Sequence, residues 1–535
     1  MPAPNQTQEI QEVPLELVGG NTFGRYSKIS NAQTWNMIIS DNALVPYPGY
    51  KNVLESTTNA SGRGLYASTR GNIMIAVWGS TVFSIEITID SNFQNILTAY
   101  NRGNMATSTG DVFIAENNNG QIVLSDGNEI YVYNWLTPSV NITLATKPAS
   151  LKDPGYISFQ NGRFIVVNTT SNAWYLSGAN NTTFTGAANS LGALQSKPDF
   201  AQAAVPTPGG GNTLMLFGHN VIEQWTDVGN ALFPYQRSST FNVDYGTVNA
   251  STIASLDNYI VWLAANEQSG VTIMMVNDRT TKSISTEGID YKLSNLKDPN
   301  NCSAFLFRQD GHILYQFTFI TDNVSYVYDT KTDKFFTVSD ENNNYHIASK
   351  VVFFNNKNYM VSLQSGNLFE FGTQYTSYDY GLGEIEQIPR LRVTPPLRLP
   401  SQRWFIIKSL GFTIENGQPN QIDTITSTIT LGDFIATEGG TDITTENNRI
   451  ITDEGGDSTT STTSVLASEA VDLSISRDGG ESFGSSLRQD MNAVGKRKSR
   501  FIYQRLGQAN DVCFQIKFIG FGRFVALEGV VEVYQ

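Results

Sequence analysis

The sequence predicts a protein built almost entirely of β-strands. Aromatic residues make up 11% of the 535 positions, including 23 Tyr and 30 Phe, and there are 45 Gly residues. Aromatic and β-branched residues favour strands, and no long run rich in Ala, Glu, Lys and Leu suggests a helical region. The chain is also longer than one hydrophobic core usually supports, so its length predicts two domains.

Residues 1–48 are predicted to form an extended N-terminal segment. From residue 49 to residue 376, short apolar strands alternate with turns of Gly, Asn and Asp. Asn-Gly and Asp-Gly pairs tolerate the positive φ of tight hairpin turns, so they predict antiparallel strands that run up and down. The clearest pairs are Asn119-Gly120, Asp126-Gly127, Asn161-Gly162 and Asp310-Gly311.

Grouped in fours, these strands make sheets of about 45–60 residues each, which is near the length of a propeller blade. We therefore predict that residues 49–376 form an irregular β-propeller of about five to seven blades, because radial closure leaves few exposed sheet edges. The repeat has no fixed signature such as Trp-Asp. A sandwich or two stacked barrels is therefore the alternative architecture.

Residues 377–405 differ in character and contain Pro389, Pro395, Pro396 and Pro400. Proline cannot donate to a strand ladder, so this stretch is predicted to be an extended linker. Residues 406–535 are predicted to form a C-terminal β-domain, sandwich-like or barrel-like. Its segment 432–469 is rich in Thr, Ser, Gly and acidic residues and has too little apolar surface for a core of its own. It is either a projecting contact arm or a disordered insert.

Charge and hydropathy narrow the class of protein. The formal net charge is -14, which argues against tight binding of nucleic acid through phosphate neutralisation. No run approaches the roughly 18 apolar residues of a membrane helix. The first residues also lack the basic and apolar regions of a signal peptide. We therefore expect no membrane insertion by this chain.

The sequence contains no recognisable catalytic or metal-binding motif. His219, His312 and His346 are too far apart for a zinc motif, and Cys302 and Cys513 are expected to be buried as small hydrophobic side chains. There is no phosphate-binding P-loop and no nucleophile elbow. We predict that the protein is not an enzyme and uses no metal or cofactor.

One basic cluster stands out in the acidic chain. It consists of Lys496, Arg497, Lys498, Arg500 and Arg505. If this stretch is a strand, residues 498 and 500 share a face. The cluster could be a solvated turn, could pair with acidic residues of a neighbouring subunit, or could contact DNA phosphates. The charge balance favours subunit pairing over DNA contact.

The turn before this cluster fits the Asp-box pattern known from sialidase propellers. Its defining positions are Ser476, Asp478, Gly480 and Phe483. In such a turn the Asp carboxylate accepts backbone N–H bonds, Gly supplies positive φ, and the aromatic ring packs beneath. We interpret it as a structural element and not as a catalytic site.

The strand, Gly-Gly turn, basic stretch and two closing strands of residues 471–535 resemble the C-terminal domain of a phage protein family. This family comprises the packaged-DNA stabilisation proteins, or tail nozzle (tail hub) proteins, of short-tailed phages. Residues 21–50, 155–176 and 216–237 are similar to earlier parts of the family in the same order. No single stretch is specific, but the shared order is.

The resemblance implies a structural virion protein assembled in the host cytoplasm and located in the phage tail. It implies a ring of six copies below the portal and the head-to-tail adaptor ring, with contacts to a tail needle or plug or to tailspike or fibre proteins. Viral double-stranded DNA would pass through the ring with weak contact, and the ring would help retain it until ejection. The alternative from another class is a glycan-binding or glycan-cleaving tail adhesin, suggested by the propeller and the Asp box.

Overall fold

The computed structural model describes residues 10–24, 32–68, 70–89, 95–207, 211–268, 270–277, 280–400, 403–416, 426–430, 458–462, 469–491 and 498–534. Strands dominate these residues. Helical structure within them is limited to a 3₁₀ turn (Ala250–Thr252) and one short helix, α1 (Glu287–Ser294). The predicted all-β class is confirmed.

Five strands come before the first complete blade: β1 (Ile10–Leu15), β2 (Gln33–Trp35), β3 (Met37–Ser40), β4 (Ala43–Pro46) and β5 (Gly49–Glu55). Five antiparallel four-stranded sheets follow, with their strands in sequence order. Blade 1 contains β6 (Gly62–Ser68), β7 (Ile73–Trp78), β8 (Thr81–Ile89) and β9 (Asn95–Asn104), and blade 2 contains β10 (Phe113–Glu116), β11 (Gln121–Ser125), β12 (Ile130–Asn134) and β13 (Thr143–Leu144). Blade 3 contains β14 (Pro154–Gln160), β15 (Arg163–Asn168), β16 (Ala173–Leu176) and β17 (Leu191–Ala193), and blade 4 contains β18 (Ala203–Pro206), β19 (Thr213–Phe217), β20 (Ile222–Asp227) and β21 (Tyr235–Val243). Blade 5 contains β22 (Ala254–Leu256), β23 (Tyr259–Ala264), β24 (Thr272–Asn277) and β25 (Thr280–Ser283).

Two further blades complete the ring. Blade 6 contains β26 (Cys302–Gln309), β27 (His312–Phe319), β28 (Val324–Asp329) and β29 (Lys334–Val338), and blade 7 contains β30 (Ala348–Phe354), β31 (Lys357–Ser362) and β32 (Asn367–Gly372). The fourth strand of blade 7 is β5, which pairs antiparallel with β32 so that Tyr50 lies opposite Phe371. In the described part of the chain the propeller therefore has seven blades, and a strand from the N-terminal part closes it.

Each pair of neighbouring blades buries its own hydrophobic cluster. Between blades 1 and 2, Ile75 packs with Ile122, and between blades 7 and 1, Trp78 packs with Tyr359. Serines on the innermost strands also link neighbouring blades. For example, Ser158 Oγ donates to the Ala204 carbonyl at 2.8 Å. Radial packing of this kind stabilises the ring without a single central core.

The predicted turns are tight, although not all are of one type. Asn161-Gly162 has φ values of 50° and 78°, and Asp310-Gly311 has values of 48° and 80°. Positive φ at both central residues is the requirement for type I′ hairpins. In Asn119-Gly120 and Asp126-Gly127 only the glycines have positive φ, at 75° and 88°. In the Asp126-Gly127 turn, the Asp126 carboxylate accepts the N–H groups of residues 128 and 129 and so stabilises the turn.

The rest of the chain adds strands β33 (Ser377–Gly381), β34 (Glu384–Gln387), β35 (Arg390–Val393), β36 (Phe405–Asn416), β37 (Thr426–Thr430), β38 (Ser458–Thr462), β39 (Ala470–Ser476), β40 (Leu487–Asp490), β41 (Lys498–Ala509), β42 (Cys513–Ile519) and β43 (Phe524–Tyr534). One sheet has the order β3-β4-β43-β36-β41, with β1 also paired to β43. The other continues from β29 of blade 6 through β2, β35, β42 and β39 to β40. Their facing side chains, such as Phe412 and Phe501 against Leu473 and Phe514, share one core. The predicted C-terminal sandwich is confirmed.

The proline-rich segment differs from the predicted extended linker. The four prolines lie outside β35, so Arg390–Val393 is free to pair with β42 on one side and β2 on the other. Strand β33 likewise pairs in parallel with β5 of blade 7. Residues 1–48 also provide β1 to β4 to the two C-terminal sheets. Of the segment 432–469, only Ser458–Thr462 and Glu469 lie within the described residues.

Two buried arginines fix this arrangement. Arg392 donates to the Gly20 and Glu16 carbonyls at 3.2 and 3.1 Å and to Thr34 Oγ1 at 2.9 Å. Arg390 donates to the Gly520 carbonyl at 3.2 Å and to a carbonyl at the end of the propeller, that of residue 376, at 2.9 Å. Burial lowers the pKa of each guanidinium to about 10. These contacts tie the N-terminal segment, propeller and sandwich together.

Candidate assembly surface

The outer face of the sandwich sheet forms a shallow groove of about 1060 Å³ across β1, β43, β36 and β41. Arg500 and Arg505, two members of the predicted basic cluster, both line it. Lys498 lies at the end of the same strand, and its Nζ is 3.5 Å from Glu415 Oε1 of the paired strand. Residues 498, 500, 502 and 504 are all exposed, as alternation along a strand predicts. Lys496 and Arg497 lie outside the described residues.

Arg505 occupies an irregular position on β41. Its φ is 58°, in the left-handed region. At this point the register of β41 with β36 shifts, between residues 407 and 409 of β36. The bulge turns Arg505 into the groove and leaves the Leu506 carbonyl on the open edge, where Arg477 donates to it at 2.7 Å. Gln489 donates to the Ile502 carbonyl at 2.8 Å. These side chains cap the outer edge of β41, so further strand pairing is discouraged there.

The groove carries opposite charges on its two sides. We call Lys408, Arg500 and Arg505, on β36 and β41, the basic half, and Glu12, Glu528 and Glu532, on β1 and β43, the acidic half. Lys408 Nζ lies 2.9 Å from Glu532 Oε2 where the halves meet, and this hydrogen bond lowers the pKa of Glu532. The groove has as many cations as carboxylates.

The Asp-box turn is structural in its geometry. Asp478 Oδ1 accepts the backbone N–H groups of residues 481 and 482, each at 3.0 Å, and the hydroxyl of Ser476 at 2.5 Å. These bonds, together with one from the Ser482 hydroxyl, hold the pKa of Asp478 well below its usual range. Gly480 has a φ of 95°, while Phe483 is only half-buried. The carboxylate is committed to the turn and is not available for catalysis.

Polar groups of several blades meet across the centre of the propeller. Lys350, on the innermost strand of blade 7, donates to the Ser251 carbonyl at 3.3 Å and the Ala304 carbonyl at 3.5 Å. Its Nζ is also 3.7 Å from Asp111 Oδ1, at the start of blade 2. One lysine thus spans four blades across the axis. Because this lysine reaches across the axis, duplex DNA, whose major groove alone is about 12 Å wide, cannot pass through the opening of one propeller.

The histidines and cysteines have structural surroundings. His312 Nδ1 lies 2.9 Å from Asp329 Oδ2 inside blade 6. His346 is fully buried, and burial lowers its pKa to about 3. Cys302 and Cys513 are both buried and free, as expected from the sequence. Among the residues that the structure describes, no group of three or more His, Cys, Asp and Glu side chains could hold a metal ion.

A second groove, between the outer strands of blades 3 and 4, is lined by Trp225, Phe233 and Tyr235. Its aromatic rings pack on each other around Trp174. The carboxylate beneath them, Glu223, is fully buried and accepts bonds from Trp225 Nε1 and two backbone N–H groups. The rings and the carboxylate are thus engaged within the protein. This groove lacks the exposed stacking platform and convergent free carboxylates of a glycosidase.

Sequence reasoning missed several residues of this surface. Gly411, at the centre of β36, lines the groove, and an isolated Gly within a strand pattern is a signal of close approach that could have been noticed. Arg390 and Arg392, which are buried and do not line the groove, were also missed, because the prolines around them indicated a linker. Glu12, Glu528 and Glu532 carry no local signal, because strand pairing alone brings them to the groove.

Comparison with known families gives the decisive observation. The phage stabilisation family, described as bacteriophage P22 Gp10, β-propeller, matches residues 31–374. The chain belongs to this family. It is therefore a structural protein of a phage particle, and the family's propeller coincides with the seven blades. The match ends before the C-terminal sandwich, so the candidate assembly surface lies outside it.

No curated protein matches the chain. Among solved structures, the WD40 propeller domain of Doa1 is 11% identical, with 60% of this chain and 96% of that one covered, at a TM-score of 0.38. The N-terminal domain of Nup159 is 12% identical, covering 64% and 98%, and virginiamycin B lyase from Staphylococcus aureus is 13% identical, covering 68% and 98%, both with TM-scores of 0.38. These scores are too low to support any statement about function. No helix in the described part of the chain is long and apolar enough to cross a membrane.

Proposed function

We propose that this phage stabilisation protein is a subunit of a ring in a short phage tail. The ring extends the DNA conduit below the portal and the head-to-tail adaptor ring and helps retain the packaged genome until ejection. Six copies, contacts with a tail needle, plug, tailspike or fibre protein, and assembly in the host cytoplasm are parts of the proposal. The observation that carries it is the family match over residues 31–374.

The ion pair across the centre of the propeller supports a conduit between subunits. Lys350 and Asp111 occupy the propeller axis, so duplex DNA would pass along the axis of a ring of copies and not through one propeller. A net charge of -14 per copy also suits such a conduit. Each lysine–phosphate contact would add salt-dependent affinity, whereas an acidic wall lets a polyanion slide. Retention then comes from closure by a partner and not from affinity for DNA.

The experiment is to assemble phage particles without this chain. We expect heads that fill with DNA and then release it, so that the genome becomes sensitive to added nuclease. Adding the purified wild-type chain to freshly filled heads should restore protection. Particles that lack the chain and still hold their DNA as well as wild-type particles would contradict the proposal. Imaging the protected particles should place the chain below the adaptor ring.

A further inference from the structure

The outer face of the sandwich sheet carries exposed apolar residues in cross-strand rows. Ile502, Gly411 and Val530 are aligned on β41, β36 and β43, and a second row joins Ile406 to Ile10 through β43. Ile502 and Val530 are 39% and 42% exposed. An antiparallel sheet with one face in water usually presents polar side chains there. These rows therefore indicate a face that is covered in the assembled protein.

Gly411 forms a slot in the middle of this face. A Cβ added at this position would meet nothing closer than 3.9 Å, and its φ is not in the left-handed region. The fold of the chain itself therefore does not require glycine here. Glycine weakens a strand interior and often marks a place where another backbone approaches closely. Ile502 and Val530 are the walls of the slot.

The charges of the groove indicate the occupant. The basic half and the acidic half contribute three cations and three carboxylates to one face, so each half complements the other half of a second molecule. DNA would require an excess of cations. We propose that the basic half of one copy docks on the acidic half of a second copy of this chain, with Gly411 admitting the neighbour's backbone. Each copy then uses its two halves toward two different neighbours, as the head-to-tail contacts of a ring require. The proposal rests on the proposed ring, for which it supplies the subunit contact.

The size of each half fits a weak contact that needs a template. Strands β36 and β41 are each 12 residues long. Strand β43 has 11 residues and β1 has six. At about 3.4 Å per residue and 4.8 Å between strands, β36 and β41 cover about 390 Å² and β1 and β43 about 280 Å², well below the roughly 800 Å² that each partner contributes to a standard interface. Because the outer edge of β41 is capped by Arg477 and Gln489, face-to-face docking is favoured over pairing of strand edges. We expect monomers at low concentration and rings on the adaptor template.

The test uses Gly411→Arg, Arg500→Glu and Glu528→Lys in the full chain. Self-association is measured by sedimentation velocity over a concentration series, and by mass photometry with the phage's adaptor ring. Gly411→Arg should abolish association while leaving the thermal unfolding midpoint unchanged, because the added Cβ makes only ordinary contacts, the nearest at 3.9 Å. Gly270→Arg, at a propeller glycine whose nearest atom to an added Cβ is 3.7 Å away, is the matched control and should associate normally.

The charge variants add a complementation test. Arg500→Glu alone and Glu528→Lys alone should each weaken association at least tenfold, and an equimolar mixture should restore it, because each repulsive half then meets its opposite. Unchanged association of Gly411→Arg, failure of the mixture to recover, or no association of the wild-type chain even with adaptor would overturn the proposal. So would variant rings that form normally but lose another tail protein, since the face would then belong to that protein.

The two proposals can fail separately. If association depends on this face but particles lacking the chain retain their DNA, the docking surface stands and the proposed function falls. If Gly411→Arg forms normal rings in particles that retain DNA, the function stands and the docking surface falls.

Discussion

Replacing Arg392 with methionine should loosen the join between the N-terminal segment and the sandwich. Met keeps much of the side-chain volume but removes all three donated hydrogen bonds. The Gly20 and Glu16 carbonyls and the Thr34 hydroxyl lose the partner that they have in the wild-type protein. Thr34 and Arg392 are both fully buried, so water cannot easily replace the guanidinium.

The magnitude follows from two opposing contributions. Hydrogen bonds from a charged donor are worth about 1.5–3 kcal/mol each, so three contribute about 4.5–9 kcal/mol. Burial opposes the charge: a pKa lowered from 12.5 to about 10 corresponds to about 3 kcal/mol of destabilisation. We therefore expect Arg392→Met to lower the free energy of unfolding by about 1.5–6 kcal/mol. The control variant Arg523→Met, at an exposed position, should change the free energy of unfolding by less than about 0.5 kcal/mol.

The assay combines urea unfolding, followed by tryptophan fluorescence, with limited proteolysis. Because the guanidinium holds the backbone at residues 16–20, the variant should also become sensitive to cleavage near β1 before the propeller unfolds. An unfolding free energy within about 0.5 kcal/mol of wild type, together with an unchanged cleavage pattern, would refute this reasoning. It would show that the carbonyls find other partners or that the cost of burial cancels the hydrogen bonds.

Three further predictions concern separate parts of the molecule. Gly479→Val should destabilise the sandwich by about 1–3 kcal/mol, because φ at this position is 82° and a β-branched residue is strained there; an unchanged melting temperature would contradict this. His346 should be a source of acid sensitivity: its pKa falls from 6.5 to about 3 on folding, so the unfolded chain binds the extra proton. Stability is unaffected above pH 6.5 and falls between pH 6.5 and about 3, by up to about 5 kcal/mol. His346→Gln should flatten this part of a stability–pH curve, and an identical slope would exclude His346 as its cause. DNA titrations at two salt concentrations should show weak binding with a shallow salt dependence in both monomer and ring, whereas sub-micromolar binding by the monomer would contradict a non-adhesive conduit.

The sequence by itself determined the strands and many of their turns, because these depend on neighbouring residues. Alternating apolar positions and Asn-Gly or Asp-Gly pairs specify a hairpin locally, as Asn161-Gly162 shows with positive φ at both residues. Four strands per sheet then followed from spacing alone. The Asp-box turn could also be predicted from the sequence, since Ser476 and Asp478 form their hydrogen bonds with residues close to them in the chain.

Only the tertiary structure decided how the ring closes and which residues share a surface. Strand β5 pairs with β32, more than 300 positions away in the sequence. No pattern of neighbouring residues therefore predicts that these strands share the seventh blade. The sequence around Arg390 and Arg392 is typical of a linker. In the structure both side chains are buried, because β35 pairs with strands from both ends of the chain. The candidate assembly surface likewise joins residue 12 to residues 411, 500 and 528. Hydrogen bonds between strands form whatever the sequence separation of the two strands. Such contacts therefore depend on the whole fold, and no short stretch of the sequence predicts them.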